Sequence, residues 1–221
     1  MKKVVIAIDG PAAAGKSTVS KIVAKKLGYT YIDTGAMYRA FTEYVLRVGV
    51  NPENEVECNK LIPDVHIELF PNGTVICSGK DVTKEIREPH VSRNVSYIAS
   101  YKEIRLAMVD QQRKMAEKVS VVMDGRDIGT YVLPNADVKI YQVASVEERA
   151  KRRFIENTEK GIECTLESIV ADVQRRDKID SSRAFAPLRP AEDSILLDTS
   201  DLTIDESVEA VLKIISEKVG K

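Results

Sequence analysis

Cysteine is scarce in this chain, with three in 221 residues, at positions 58, 77 and 164. The count is odd and the spacings are wide, which excludes a disulfide framework. With histidine only at 66 and 90, the set does not resemble a zinc site either. Long apolar runs are also missing. The longest are five or six residues, against the ~20 that a membrane-spanning helix needs. Met1-Lys2-Lys3 followed by Val4–Ile8 imitates the start of a secretion signal, but Asp9 ends the apolar stretch below the roughly seven residues such a signal requires. The expected location is the cytoplasm. Charge of one sign is not in excess: 33 basic residues face 34 acidic ones, for a net charge of −1. That balance argues against a general nucleic-acid binder, whose footprint is basic. No low-complexity tract and no internal repeat is visible, and nothing demands a dimer, so a monomer without nucleic-acid or membrane partners is the expectation.

What is present is a well-mixed globular composition, 43% hydrophobic and 30% charged, long enough for one domain over residues 1–221 with a sizeable insertion. Val4–Ile8 is a continuous apolar run rich in β-branched residues, the pattern of a strand buried on both faces. Gly10 follows, and then Val19, Ile22, Val23 and Leu27 recur at helical spacing up to Gly28. A second strand is expected over Tyr29–Ile32 and a helix over Ala36–Val48. Strand, helix, strand, helix within fifty residues implies βαβ units and a parallel sheet. Residues 65–70 then alternate with period two, Pro71-Asn72-Gly73 supplies turn chemistry, and Thr74–Cys77 returns. This reads as an antiparallel hairpin within an insertion at about residues 60–100. Further elements are expected as a helix over Lys102–Lys118, strands at Val119–Met123, Val138–Val143 and Ile195–Leu197, and a last helix capped by Thr203 and Glu206. Ser145 and Glu148 have the spacing of a capping box for the helix that carries Arg149, Arg152 and Arg153.

Gly10-Pro11-Ala12-Ala13-Ala14-Gly15-Lys16-Ser17 fits the phosphate-loop pattern, and it lies between a predicted strand and a predicted helix. The glycines let backbone N–H groups turn inward as an anion nest at a helix N-terminus. Lys16 would bridge the β- and γ-phosphates of a nucleotide, and the Ser17 hydroxyl would ligate Mg²⁺. A guanine-specific switch needs Asn-Lys-x-Asp. The Asn59-Lys60 pair runs on into Leu61-Ile62, so the essential aspartate is missing. A small-molecule kinase needs instead a second anion-binding pocket furnished with arginine, and twelve of the fourteen arginines lie between residues 87 and 189.

Ligands of an open parallel sheet bind beyond the carboxyl ends of its strands. Three predicted strands end in Asp9-Gly10, Asp33-Thr34-Gly35 and Asp124-Gly125-Arg126-Asp127. Asp33 or Asp124 would hold Mg²⁺ through water, with Asp124 preferred because it closes the more hydrophobic run. Arg39 and Arg126 would reach an acceptor phosphate. Arg176, Asp180 and Arg183 recur at i, i+4 and i+7. Spacing alone leaves two readings open: a solvated salt-bridge ladder, or guanidiniums that take phosphate while Asp180 accepts from a ribose hydroxyl.

Together the motifs Ile8–Thr18, Asp33-Thr34-Gly35-Ala36-Met37-Tyr38-Arg39, Asp124-Gly125-Arg126-Asp127-Ile128-Gly129-Thr130, and Arg176-Asp177-x-x-Asp180-Ser181-x-Arg183 with Ala186-Pro187-Leu188 resemble the bacterial cytidylate kinase family. These are nucleoside monophosphate kinases of the phosphate-loop superfamily, and the resemblance runs nearly end to end. It implies an α/β fold with a five-stranded parallel sheet flanked by helices, an antiparallel insertion that binds the monophosphate, and a helical lid at about residues 150–165. The implied reaction is Mg²⁺-dependent phosphorylation of CMP and dCMP by ATP. Residues 10–18 would bind ATP, with Thr18 closing the loop. Thr34, where the family often has serine, Arg39 and Arg126 would contact the acceptor phosphate. Ser96, Arg105, Asp127 and Arg183 would read cytosine, and Arg176 and Asp180 the ribose and phosphate side. Arg152 and Arg153, at the start of the lid, would neutralise the transferring phosphoryl group together with Lys16, Arg126 and Arg176. The alternatives are a kinase for another small acceptor and a non-catalytic nucleotide switch.

Overall fold

A computed structural model describes residues 3–159 and 161–220. Its centre is a parallel sheet of five strands: β1 (Val5–Asp9), β2 (Thr30–Asp33), β6 (Val121–Gly125), β7 (Val138–Val143) and β8 (Ile195–Asp198). Their order across the sheet is β2-β6-β1-β7-β8. β1 and β6 are buried at every position. Alternate residues of β1 serve opposite faces, as the two-residue period of a strand requires. Ile6 and Ile8 pack with Val23, Val211 and Ile215 of α1 (Lys16–Leu27) and α8 (Ile204–Val219). Val5 and Ala7 pack with Ile32, Met123 and Val109, the last on α5 (Lys102–Ala116).

A second sheet of three antiparallel strands, β3 (Ile67–Leu69), β4 (Val75–Cys77) and β5 (Lys80–Asp81), sits apart from the first. It shares a core with α2 (Thr34–Arg47), α4 (Pro89–Ile98) and α5, in which Phe41, Ile67, Cys77, Ile86 and Ile98 are fully buried or nearly so. A short α3 (Glu55–Lys60) leads into it. The expected hairpin is present; the third strand, two residues long, was beyond the periodicity. On the far side, α6 (Val146–Glu159) and α7 (Leu166–Ser182) pack around Ala150, Ile169 and Val173. Among the described residues, no helix is long and apolar enough to cross a membrane.

Element ends differ from expectation where pairing or capping decides them. β2 and β6 run later than their apolar runs, because pairing carries both through Asp33 and Asp124, which stand opposite each other. Asp9 stands opposite Gly125 in the same way. α2 starts at Thr34 rather than Ala36, since Asp33 caps it by accepting from the Ala36 N–H at 2.7 Å. The Thr203–Glu206 capping box forms in full. The one expected at Ser145 and Glu148 forms by half. Ser145 Oγ accepts from Glu148 N–H, but the Glu148 carboxylate turns to Arg152, and the Ser145 N–H donates to Ser200.

Candidate active site

The loop between β1 and α1 is shaped by backbone that few residues adopt. Gly10 has φ 149°, and a Cβ there would lie 1.9 Å from the carbonyl oxygen of Gln142, so only glycine lets the loop lie against β7. Ala13 (φ 60°) and Gly15 (φ 86°) take left-handed conformations that turn the chain into α1. Lys16 is buried, and its Nζ donates to the Pro11 carbonyl at 2.7 Å. Burial, with Arg126 nearby, holds its ammonium well below the usual lysine range.

Beside the loop stand three carboxylates from adjacent strand tips. Asp124 accepts from Ser17 Oγ at 2.8 Å and from the Tyr31 hydroxyl at 2.9 Å. Thr34 Oγ1 donates to the Asp124 backbone carbonyl at 2.7 Å. Burial, and then the charge of Asp33, push Asp124 up to about 6. Asp33 is itself occupied by the Ala36 N–H and by Arg39 and Arg87 at 3.1 and 3.3 Å. Burial opposes its ionisation, but Arg39 and Arg87 hold it below the usual carboxylate range. Asp9 accepts from the N–H groups of Ile128 and Gly129 at 2.8 and 2.7 Å, which pins the turn after β6. Burial raises it to about 6. Of the two carboxylates weighed for Mg²⁺, Asp124 fits better. It and Ser17 offer hard oxygens next to the anion loop, a donor set that suits a cation carrying its own waters and phosphates, whereas Asp33 is committed to arginine.

Opposite the loop lies the arginine cluster. Asp127, buried, is gripped from two sides: its Oδ2 pairs with Arg105, and its Oδ1 lies 3.3 Å from Arg183. Arg105 is held in turn by the Ala99 carbonyl and lies over the ring of Tyr38. Arg126 Nε donates to Asp180 Oδ2 at 2.9 Å. Burial opposes the charge of Asp180, but Arg126, Arg176 and Arg183 hold its carboxyl below the usual range. The ladder reading of 176, 180 and 183 therefore gives way, since Asp180 bonds to Arg126 and Arg183 leaves the helix at its end with extended backbone. The side chains of Arg153 and Arg176 enter no hydrogen bond or ion pair among the described residues, and Arg176 Nε is buried without a partner. Burial and the nearby Arg126 bring Arg176 down to about 10. Arg152 bonds to the Thr199 carbonyl at 2.6 Å and reaches Ala14 O at 3.5 Å.

Apart from Asp9 and Tyr31, the charged and polar side chains described above border one cleft of about 700 Å³. Every sequence-derived candidate lines it apart from Gly10 and Pro11, since the lining part of the loop begins at Ala12; Ser96, Thr18 and Arg39 are included. Arg87, Tyr38 and Gln142 also line it and went unassigned in the sequence. Arg87 arrives from a 3-10 turn at Glu85–Arg87 in the insertion, and no local pattern announces it.

Two loop-and-cluster ends facing each other across one cleft suit transfer between two anionic ligands, and comparison with known proteins agrees. In fold, the chain is similar to an uncharacterised protein from Eubacterium ventriosum, at 14% identity and a TM-score of 0.52 over 98% of this chain and 99% of that one. Proteins named cytidylate kinase from Bacillus licheniformis and Anoxybacillus flavithermus are 53% and 52% identical, over 100% and 99% of this chain and 99% and 98% of theirs. The model of the cytidylate kinase family matches residues 6–217, and the chain belongs to that family.

Proposed function

We propose that this protein transfers the γ-phosphoryl group of ATP to CMP and dCMP, yielding ADP with CDP or dCDP, and that it works with Mg²⁺, as a monomer, in the cytoplasm. The observation that carries the cytosine reading is Asp127, fixed between Arg105 and Arg183 at the acceptor end of the cleft. A carboxylate held this way can only accept hydrogen bonds. The exocyclic amine of cytosine donates to it, while uracil presents a carbonyl there and would leave two acceptors facing each other. Ser96 and the two arginines complete the base pocket.

Residues 10–18 cradle the triphosphate, and Lys16 exchanges the Pro11 carbonyl for phosphate oxygen when nucleotide enters. Mg²⁺, held beside Ser17 and Asp124, offsets phosphate charge when bound. Thr34, Arg39 and Arg126 orient the acceptor phosphate, and Asp180 with Arg176 holds the ribose side. Phosphoryl transfer has a loose transition state, so positioning and charge neutralisation by Lys16, Arg126, Arg176, Arg152 and Arg153 account for the catalysis. An acceptor phosphate oxygen is already nucleophilic, so no general base is needed. Residues 60–100 act as the monophosphate-binding unit and residues 150–165 as a lid that excludes water, which would otherwise hydrolyse ATP.

The test is ADP release from Mg-ATP with CMP, dCMP, UMP, AMP, GMP or no acceptor, with Lys16→Ala as the inactive control. Turnover with CMP and dCMP alone is expected. Preference for another acceptor would overturn the base pocket, and acceptor-independent release would overturn the kinase reading.

A further inference from the structure

Backbone N–H groups that turn inward around an anion leave carbonyls of the same loop pointing outward, and each of these needs a donor. Here side chains supply them. Lys16 Nζ takes Pro11 O at 2.7 Å, Arg149 Nη1 takes Ala12 O at 3.0 Å, and Gln142 Nε2 takes Ala14 O at 2.7 Å. Arg149 differs from the other two because its guanidinium continues into a second element. Its Nη1 and Nη2 donate to both carboxylate oxygens of Asp177 on α7, at 3.1 and 2.6 Å, and its Nε donates to Ala144 O at 2.9 Å. The Arg149 side chain is 4% exposed. Neither Arg149 nor Asp177 lines the cleft, yet Asp177 is flanked on its helix by Arg176 and Asp180, which do.

We propose that Arg149 and Asp177 form a positioning pair that couples the two substrate sites: the set of the phosphate loop fixes the set of α7, so nucleotide in the loop tightens binding of the cytidine monophosphate. This rests on the functional reading above. The physical basis is rigidity. A bidentate guanidinium–carboxylate pair holds a plane and not merely a distance. Movement of the Ala12 peptide when phosphate arrives is therefore transmitted to Asp177, and through one helical turn to Arg176 and Asp180.

The experiment compares wild type, Asp177→Asn and Arg149→Lys, with Asp172→Asn as a control that removes a half-exposed pair with Arg175 on the same helix. CMP dissociation constants are measured by calorimetry with and without a saturating non-hydrolysable ATP analogue and Mg²⁺, alongside kcat and both KM values. Wild type and Asp172→Asn are expected to bind CMP at least about fivefold tighter with the analogue present. In Asp177→Asn and Arg149→Lys that ratio falls below about twofold and kcat falls about tenfold or more, while CMP affinity without the analogue stays within about threefold. A merely structural pair would weaken binding equally in both conditions. If Asp177→Asn does not fold, Arg149→Lys, which keeps the charge, decides. A ratio retained in the variants, or none in active wild type, overturns the pair alone. A wild type inactive on cytidine nucleotides overturns both readings.

Discussion

Replacing Asp127 by asparagine keeps its shape but removes the charge that two buried guanidiniums share. The asparagine amide can present N–H where the carboxylate presented only oxygen, so UMP is no longer met by acceptor against acceptor. Preference for CMP over UMP, read as a ratio of kcat/KM, should fall at least about tenfold, and the melting temperature should drop because two buried cations lose their counter-charge. An unchanged ratio would remove Asp127 from base reading. Asp9 makes a prediction of different kind. Its folded pKa, about 6, lies above its ordinary 3.8. The native state therefore takes up a proton that the unfolded chain does not, and the stability this contributes is full below about pH 4 and lost as pH rises through 6. Relative to Asp9→Asn, which does not titrate, wild type should lose on the order of 2 kcal/mol between pH 4 and 7. A constant difference in melting temperature across that range would contradict it. At this scale much was legible: glycine, lysine and serine in the loop, and the carboxylates at strand tips, carry their chemistry in local order. Arg87 and Tyr31 were not, because their partners Asp33 and Asp124 lie on other strands or segments.

Among elements, the buried strands were easiest to read, since β1 and β6 are apolar along most of their length and have no solvent side. β8 is half exposed throughout and was placed by its short apolar triplet alone. Where a cap and an ion pair compete for one side chain, as at Glu148, spacing cannot say which wins. The junction of β1 with α1 makes the element-scale prediction. Gly10→Ala would drive a methyl into the Gln142 carbonyl, so the loop must move off β7. A loss of about 2 kcal/mol or more is expected in denaturant unfolding, with KM for ATP raised; a fully stable, fully active variant would contradict the close approach.

For the whole molecule, a net charge of −1 hides an uneven distribution. Arginines from the insertion, the strand tips and α6 and α7 converge on one cleft, which raises the local concentration of anionic substrates. Raising salt from about 0.05 to about 0.5 M should lower kcat/KM for CMP several-fold while leaving the melting temperature nearly unchanged. Insensitivity to salt would mean that the cluster's ion pairs already cancel its field. This scale was least legible. Arg149 and Asp177 are 28 residues apart, and only the packing of α6 on α7 makes them neighbours.

The sheet register has a further consequence. Asp33 faces Asp124, and Asp9 faces Gly125, so the acidic tips of three strands are aligned by peptide pairing and not by any contact among themselves. Deleting one residue inside β2 would leave composition almost untouched, yet it would turn either Asp33 or the apolar half of the strand to the wrong face. The sheet is thus a ruler graduated in single peptide units. A side-chain exchange at the cleft alters one contact at a time, whereas the lengths of the strands beneath set the positions of all three tips together.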